Sequence, residues 1–405
     1  MAHIVIVGGG VAAGTAAETL RDEGYDGDVT IIAAEAHPPY QRPPLSKGYL
    51  AGEEGRDAAI LHPAEWYADR GIQLRTSTEA VAVDPDAHRL QTTGPDLAYD
   101  SLLLATGASP RRLPIGGHEL PGVHYLRSLD DSDALAERLR GGGRRLVLIG
   151  SGWIGMEVAA TAKTLGNEVT ILERDPVPLA PAVGARMGEV FRRLHEDHGV
   201  DLRTSVHVER IIGDDRAEGV TVEGETVPAD LVLIGIGAVP DVALATAAGI
   251  AVDNGILTDA SLRTSAPDVY AAGDVANAYH PVIQRHLRSE HWANALNAGP
   301  VAARAMMGGQ AVHDGIPYFY TDQFDLGMEL SGYPPLMADA ELVVRGDLTT
   351  REFIAFWVDD GRVVGGMNVN VWDVQDDIQA LIRSGDRVSV PSLTDTGTPL
   401  ARLLG

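Results

Sequence analysis

The stretch "HIVIVGGGVAAGTAAETLRDEG", residues 3–24, opens the chain and decides how the rest is read. A short β-branched run of Val and Ile after His3 is a strand of the buried type; it ends on three glycines, and an alanine-rich helical sequence follows. The next strand is "DVTIIAAE", residues 28–35, ending on Glu35. Residues 144–175, "RRLVLIGSGWIGMEVAATAKTLGNEVTILERD", repeat the device: apolar strand, glycine turn, helix, second strand and an acid, Glu173. The repeat is one strand–turn–helix–strand unit used twice, not a short-period solenoid.

Each copy has the physics of a dinucleotide cradle. The first glycine permits a tight turn, the second lets backbone amides approach a pyrophosphate, and the third position must be small so that helix and strand pack closely. The helix start then presents unpaired N–H groups and a partial positive charge. Gly150, Gly152 and Gly155 complete this pattern in the second copy, around Ile154; in the first, Gly8 and Gly10 are followed by Ala13, with Gly14 beside it. Glu35 and Glu173 are placed to accept from ribose hydroxyls. One such motif is weak evidence, since glycine turns often precede helices. Two copies, each with strands, helix and acid in order, imply two bound dinucleotides.

The chain has 405 residues, enough for two or three domains. With 32 basic against 57 acidic residues the net charge is −25, a field that repels nucleic acid and anionic membrane. The composition contains no cysteine, so disulfides, thiolate nucleophiles and thiolate-ligated clusters are excluded from this chain. The sequence enters its first strand directly after "MA", and no apolar run reaches the ~18 residues of a membrane span, so a cytoplasmic location is expected. His286 and His291 stand at no spacing that suggests a metal site.

Two further segments, "YDSLLLATGASP" (99–110) with Ala105, Thr106 and Gly107, and "TSAPDVYAAGDVA" (264–276) with Asp274, complete the pattern. With them the chain resembles the two-dinucleotide flavoprotein disulfide-reductase-like superfamily over nearly its whole length. The resemblance implies an α/β protein with two Rossmann-like domains. A discontinuous FAD-binding domain (1–112 and 243–319) would hold FAD, with Asp274 on the ribityl chain. An inserted NAD-binding domain (113–242) would hold NADH, with Gly235 and Gly237 of "LVLIGIGAVPD" beside the nucleotide. Residues 320–405, with strands such as "EFIAFWVDD" and a following helix, form an α+β interface domain; its 14 acids against 6 arginines do not suit docking of an acidic partner.

Absence of cysteine removes the thiol-dependent branches of that superfamily. "RPPLSK", "RSEHWANALNAG" and "YFYTDQFDLGMELSGY" are similar to the families of putidaredoxin reductase and biphenyl-dioxygenase ferredoxin reductase. The resemblance implies an NADH-dependent flavoprotein that passes electrons singly to a [2Fe–2S] ferredoxin serving a cytochrome P450 or a ring-hydroxylating dioxygenase. A rubredoxin or other acceptor, and an apoptosis-inducing-factor-like flavin-bound interaction protein, are the alternatives.

Lys47, one of only two lysines in the chain, gains a role from this resemblance. It implies an ammonium near the flavin N5 and O4, paired with Glu157 across the two nucleotide domains and stabilising charge after hydride arrives. On sequence alone the two are a solvated loop lysine and a first-turn helix glutamate. Arg42 and Arg127 match arginines near the FAD pyrophosphate, although Arg42 reads equally as a turn residue and Arg127 as a partner of Asp130 or Asp131. Trp292 matches a flavin contact, or is a core aromatic. Arg285 and Arg288 form a local basic patch for ferredoxin steering, or are solvated helix arginines. Tyr320 stands where putidaredoxin-reductase-like chains have a tryptophan. Glu173 selects NADH, while Arg174 beside it leaves NADPH open.

Overall fold

The computed structural model describes residues 2–404. The chain divides into two compact units: Met1–Pro43, Arg56–Ser109 and Ala238–Gly315 form the first, and Pro44–Gly55, Pro110–Gly237 and Ile316–Gly405 the second.

The first unit is built on a five-stranded sheet. In spatial order its strands are Val269–Ala271, Ser101–Leu104, His3–Val7, Asp28–Ile32 and Ile72–Arg75, all parallel. The opening strand is central and buried on both faces, which is why it reads as an unbroken apolar run. One face is covered by the helices Val11–Asp22 and Trp292–Met306, which bring Ala12, Ala13, Ala16, Ala302 and Ala303 into one cluster. The small residues have a reason: a Cβ on Gly299 would stand 2.1 Å from Thr15 Oγ1 and 2.5 Å from the Ala12 carbonyl oxygen. An antiparallel meander, Ala80–Asp84, Arg89–Thr92 and Leu97–Ala98, carries Val83 and Leu90 into the core on the other face.

The second unit repeats this plan. Its parallel sheet runs Asp201–Arg203, Glu168–Leu172, Arg145–Ile149, Leu231–Ile234 and Val123–His124, with Arg145–Ile149 central. A meander of Val208–Ile212, Gly219–Val222 and Glu225–Pro228 again lies between the third strand and the return strand. The internal repeat therefore reaches well past the glycine motif. The two copies differ at the edge: the fifth strand comes last in the chain in the first unit and first in the second.

Three features depart from the expected boundaries. Residues 44–55, expected with the first nucleotide domain, fall in the second unit. Tyr49 Oη donates to Asp133 Oδ1 at 2.5 Å, Ser132 Oγ to the Leu45 carbonyl at 2.8 Å, Thr161 Oγ1 to the Ser46 carbonyl at 2.8 Å, and Arg140 to the carbonyls of Tyr49 and Leu50. Residues 316–405 also cluster with the second unit rather than apart. Their antiparallel sheet, in the order Tyr318–Gln323, Leu326–Gly332, Arg362–Val369, Glu352–Asp359 and Glu341–Asp347, shares a core with the helices Trp153–Thr164 and Ala180–Asp197. Third, Arg285 lies on a strand, Arg285–Leu287, paired antiparallel with Ala276–His280, and Arg288 directly follows it, so neither is a helix arginine; the helix starts only at Trp292.

Candidate functional site

In the first unit the motif residues meet at the carboxyl ends of the parallel strands, the edge at which α/β sheets bind ligands. Gly8 follows His3–Val7 with φ +141°, and a Cβ there would sit 2.1 Å from the Ala105 carbonyl oxygen. Gly10 caps the helix Val11–Asp22 with no side chain, which leaves its first amides to a ligand. Gly14 is the close-packing position: a Cβ would come within 2.5 Å of Leu61 Cδ2 and 3.0 Å of Pro39 Cβ. Ala13 is fully buried against the sheet. Gly273, with φ +78°, leads into the Asp274 turn, and its Cβ position lies 3.1 Å from that of Ala12 at the helix start. The ends of three strands thus form one cradle that a side chain would fill.

Charge is arranged around this cradle. Arg42 Nη1 lies 3.1 Å from where a Gly10 Cβ would be, so a guanidinium stands at the amino-terminal end of the helix, the end that favours anions. Arg42 Nη2 also reaches Glu35 Oε1 at 3.4 Å, while Tyr40 Oη donates to Glu35 Oε2 at 2.6 Å. Glu35 remains about a third exposed and keeps lone pairs that a donor on a ligand could use. The hydroxyl of Thr106 is committed within the protein: it donates to the Asp241 carbonyl at 2.8 Å, and the Asp241 amide donates to the Gly107 carbonyl at 3.0 Å. Thr106 and Gly107 therefore anchor the return segment after Gly237. Trp292 is half-buried at the first position of its helix. Arg285 is exposed, whereas Arg288 is largely covered, with Nη1 donating to Glu290 and to the Asp274 carbonyl. The expected basic patch keeps one open arginine.

The second cradle, in the second unit, has the same backbone. Gly150 has φ +98°, and a Cβ there would stand 2.5 Å from the Gly235 carbonyl oxygen; one on Gly155 would stand 2.7 Å from the Gly150 carbonyl. Gly152 caps the helix Trp153–Thr164 without a side chain, and Ile154 is exposed beside it. Gly237, with φ +99°, accepts from the Arg111 amide at 2.9 Å. Glu173 differs from its counterpart Glu35. It is buried, Oε2 accepts from the Ser151 amide (2.7 Å) and hydroxyl (2.6 Å), and Oε1 accepts from the Asp175 amide (2.9 Å). It holds the glycine turn in shape. Arg174 is exposed, 3.7 Å from Asp175. Arg127 precedes a capping box: Asp131 Oδ2 accepts from the backbone amides of Arg127 and Ser128, while Ser128 Oγ accepts from the Asp131 amide.

Lys47 and Glu157 meet in this unit, not across the two. Lys47 Nζ donates to Glu157 Oε1 at 3.1 Å and lies 4.9 Å from the centre of the Tyr320 ring. Glu157 is 3% exposed, and a carboxylate so deep requires full hydrogen bonding. Ser46 Oγ supplies Oε2 at 2.5 Å and Thr321 Oγ1 supplies Oε1 at 2.7 Å. Burial and the nearby Glu157 charge push the Tyr320 phenol up to about 12, so the ring facing Lys47 is neutral. Ser46 and Thr321 were not singled out in the sequence. Ser46 adjoins Lys47 in "PPLSK", a signal that could have been followed; Thr321 lies 164 residues from Glu157 and carries none. Among the described residues no group of three or more His, Cys, Asp or Glu could hold a metal ion, and no helix is long and apolar enough to cross a membrane.

Two parallel sheets, each ending on a glycine turn, an uncapped helix and an acid, define a two-dinucleotide oxidoreductase fold. The chain belongs to the pyridine nucleotide-disulphide oxidoreductase family, whose pattern matches residues 2–299; residues 318–404 match the reductase C-terminal family. Among its relatives is the biphenyl dioxygenase system ferredoxin–NAD(+) reductase component of Paraburkholderia xenovorans, 38% identical over 405 residues, 99% of this chain and 98% of the relative. Rhodocoxin reductase of Rhodococcus erythropolis is 38% identical over 371 residues, 91% of this chain and 86% of the relative. The covalent putidaredoxin reductase–putidaredoxin complex contains a chain that superposes with a TM-score of 0.95 at 33% identity, covering 99% of this chain and 98% of that one.

Proposed function

We propose that the chain is an NADH:ferredoxin reductase. FAD occupies the Gly8–Gly10 cradle, NADH the Gly150–Gly155 cradle, and the acceptor is a [2Fe–2S] ferredoxin that serves a cytochrome P450 or a ring-hydroxylating dioxygenase. The observation that carries this reading is the presence of two built cradles in a chain without cysteine, so that no thiol can take the electrons from the flavin. FAD held there would supply a hydride acceptor that can release electrons singly, so that one NADH would reduce two ferredoxins and leave NAD⁺ and one proton.

The residues divide the work. The uncapped helix starts and Arg42 take the pyrophosphate charge, and Glu35 and Glu173 take the ribose side. Asp274 is assigned to the ribityl chain and Trp292 to the flavin face. Lys47, fixed by Glu157, supplies positive charge against the anion that hydride transfer creates; the buried three-donor environment of Glu157 supports this assignment. Arg127 is retained as a further phosphate ligand, and Arg285 as the exposed steering charge for an acidic partner. Glu173 favours NADH, because a buried anion at the ribose repels a 2′-phosphate. The location is the cytoplasm.

The test is NADH-driven reduction of cytochrome c by the flavin-loaded protein with and without a [2Fe–2S] ferredoxin. Strong ferredoxin dependence is expected. Equal rates without it, or dependence on rubredoxin instead, would replace the acceptor. A purified chain that stays colourless after addition of FAD would overturn the whole reading.

A further inference from the structure

The Lys47–Glu157 pair does not end at the nucleotide-binding helix. Behind Glu157 runs a line of polar side chains through an otherwise apolar core. Thr321 Oγ1 lies 2.7 Å from Glu157 Oε1, Gln323 Nε2 lies 3.1 Å from Thr321 Oγ1, and His195 Nε2 lies 2.9 Å from Gln323 Oε1. Thr321 and His195 are fully buried and Gln323 is 1% exposed. They bring together the edge strand Tyr318–Gln323 of the C-terminal sheet and the helix Ala180–Asp197, among Leu194, Leu326 and Met328.

The direction of every hydrogen bond in this line follows from its end. A buried carboxylate only accepts, so the Thr321 hydroxyl donates to it, and its oxygen is left to accept from the Gln323 amide. The Gln323 carbonyl then faces His195 and requires a proton on Nε2. Among the described residues His195 Nδ1 has no hydrogen-bond partner, and burial pushes the imidazole down to about 4, so the ring is neutral with Nε2 protonated. All three donors point the same way, toward Glu157.

We infer that Thr321, backed by Gln323 and His195, is a positioning residue that fixes the Glu157 carboxylate and through it the place of the Lys47 ammonium; its consequence for catalysis rests on the flavin role proposed for Lys47. Packing alone does not call for this line. Val, Met and Phe would fill the same space without three buried polar groups that must all be satisfied. What apolar groups cannot do is fix which lone pair of Oε1 is taken, leaving the other for Lys47. The edge strand of the C-terminal sheet thereby becomes part of the site's support, a role its composition does not announce.

The lysine count makes a direct test simple. Lys47 and Lys163 are the only two lysines, so holoenzyme labelled at lysine Cε gives two methylene signals, with Lys163 as an internal check on the fold. In the wild type the two Hε protons of Lys47, held between Glu157 and the face of Tyr320, are expected at separate shifts. Thr321→Val should collapse that separation toward the pattern of Glu157→Gln and slow flavin reduction by NADH about three- to tenfold. Thr321→Ser should restore both, and Gln323→Met should move them part of the way. An unchanged Lys47 signal in Thr321→Val, or in Gln323→Met if the first variant does not fold, overturns the inference. Collapsed Lys47 signals in Thr321→Val, together with normal flavin reduction both there and in Lys47→Met, leave the positioning role standing and overturn the flavin role of Lys47 instead.

Discussion

Replacing Glu157 by glutamine separates what the buried pair does for the fold from what it does for the chemistry. The amide is nearly isosteric. Its oxygen, placed at Oε1, can still accept from Lys47 at 3.1 Å and Thr321 at 2.7 Å. Its NH₂ would replace Oε2 opposite Ser46 Oγ, so the serine hydroxyl must turn its proton away from a contact that is now 2.5 Å. Three hydrogen bonds to a charged group become bonds to a neutral one, at about 1 kcal/mol each, or about 3 kcal/mol in all. Against this, the protein no longer desolvates a carboxylate, which costs several kcal/mol at a site this deep. The two nearly cancel, and the unfolding free energy should change by less than about 2 kcal/mol. Lys47 fares differently: it loses its counter-ion, and its partly exposed side chain is free to turn toward water.

Flavin reduction should then fall about ten- to a hundredfold, since each tenfold corresponds to about 1.4 kcal/mol of lost transition-state stabilisation. Urea unfolding and anaerobic stopped-flow reduction by NADH, on the same preparation, measure both quantities. A variant that loses more than about 3 kcal/mol of stability yet reduces its flavin at the wild-type rate would refute the reasoning and make the pair purely structural.

Three other outcomes are expected. Gly150→Ala places a methyl group 2.5 Å from the Gly235 carbonyl at φ +98°, so NADH affinity should drop at least about tenfold, by fluorescence titration, while FAD content is kept. Gly299→Ala would stabilise an isolated helix by up to about 1 kcal/mol, but here the methyl would lie 2.1 Å from Thr15 Oγ1; destabilisation by about 1–3 kcal/mol and loss of FAD are expected in thermal unfolding, and a raised Tm would contradict the packing argument. His195 and His313 are both held down to about 4 by burial, so the folded state binds fewer protons than the unfolded chain. Their contribution is complete above the unfolded value near 6.5 and is lost as pH falls from there to about 4, by up to about 3 kcal/mol for each. Denaturant unfolding of His195→Gln between pH 7 and 4 should show a shallower decline than the wild type.

The parts of this structure that were legible from sequence are those whose cause is local. Gly8 and Gly150 have positive φ because the strand must turn at once into a helix, and "HIVIVGGG" and "LVLIGSG" announce that within eight residues. The meanders were not legible. Ala80–Asp84 buries only Val83, so neither alternation nor a continuous apolar run marks it, and its place is set by pairing with Arg89–Thr92. The second-unit placement of Lys47 was hidden for a related reason: its loop is tied down by Asp133, Ser132 and Thr161, between 84 and 115 residues away. The helical alternative for Arg285 and Arg288 fails because "QRHLRSE" has no period of its own, and Arg285–Leu287 becomes a strand only through pairing with His280, Tyr279 and Ala278. The use of Glu173 was within reach. The serine between Gly150 and Gly152 stands at the turn to which the acid points, and a hydroxyl there has an obvious acceptor.

The two acids show how far two copies of one backbone can diverge in charge. Glu35 shares its carboxylate with a phenol and a guanidinium and stays partly open, and the same guanidinium stands at the Gly10 helix start. Glu173 is enclosed by Ser151 and the Asp175 amide, and the exposed residue at its helix start is Ile154. In a chain of net charge −25 a pyrophosphate is repelled at long range, so retention depends on local compensation. Helix amides alone give a weak, exchangeable site; amides with a fixed arginine give a much stronger one. The asymmetry supports the proposed assignment of a resident flavin to the first cradle and of an exchangeable reductant to the second. It arises from side chains added around a glycine turn that the two copies share almost unchanged.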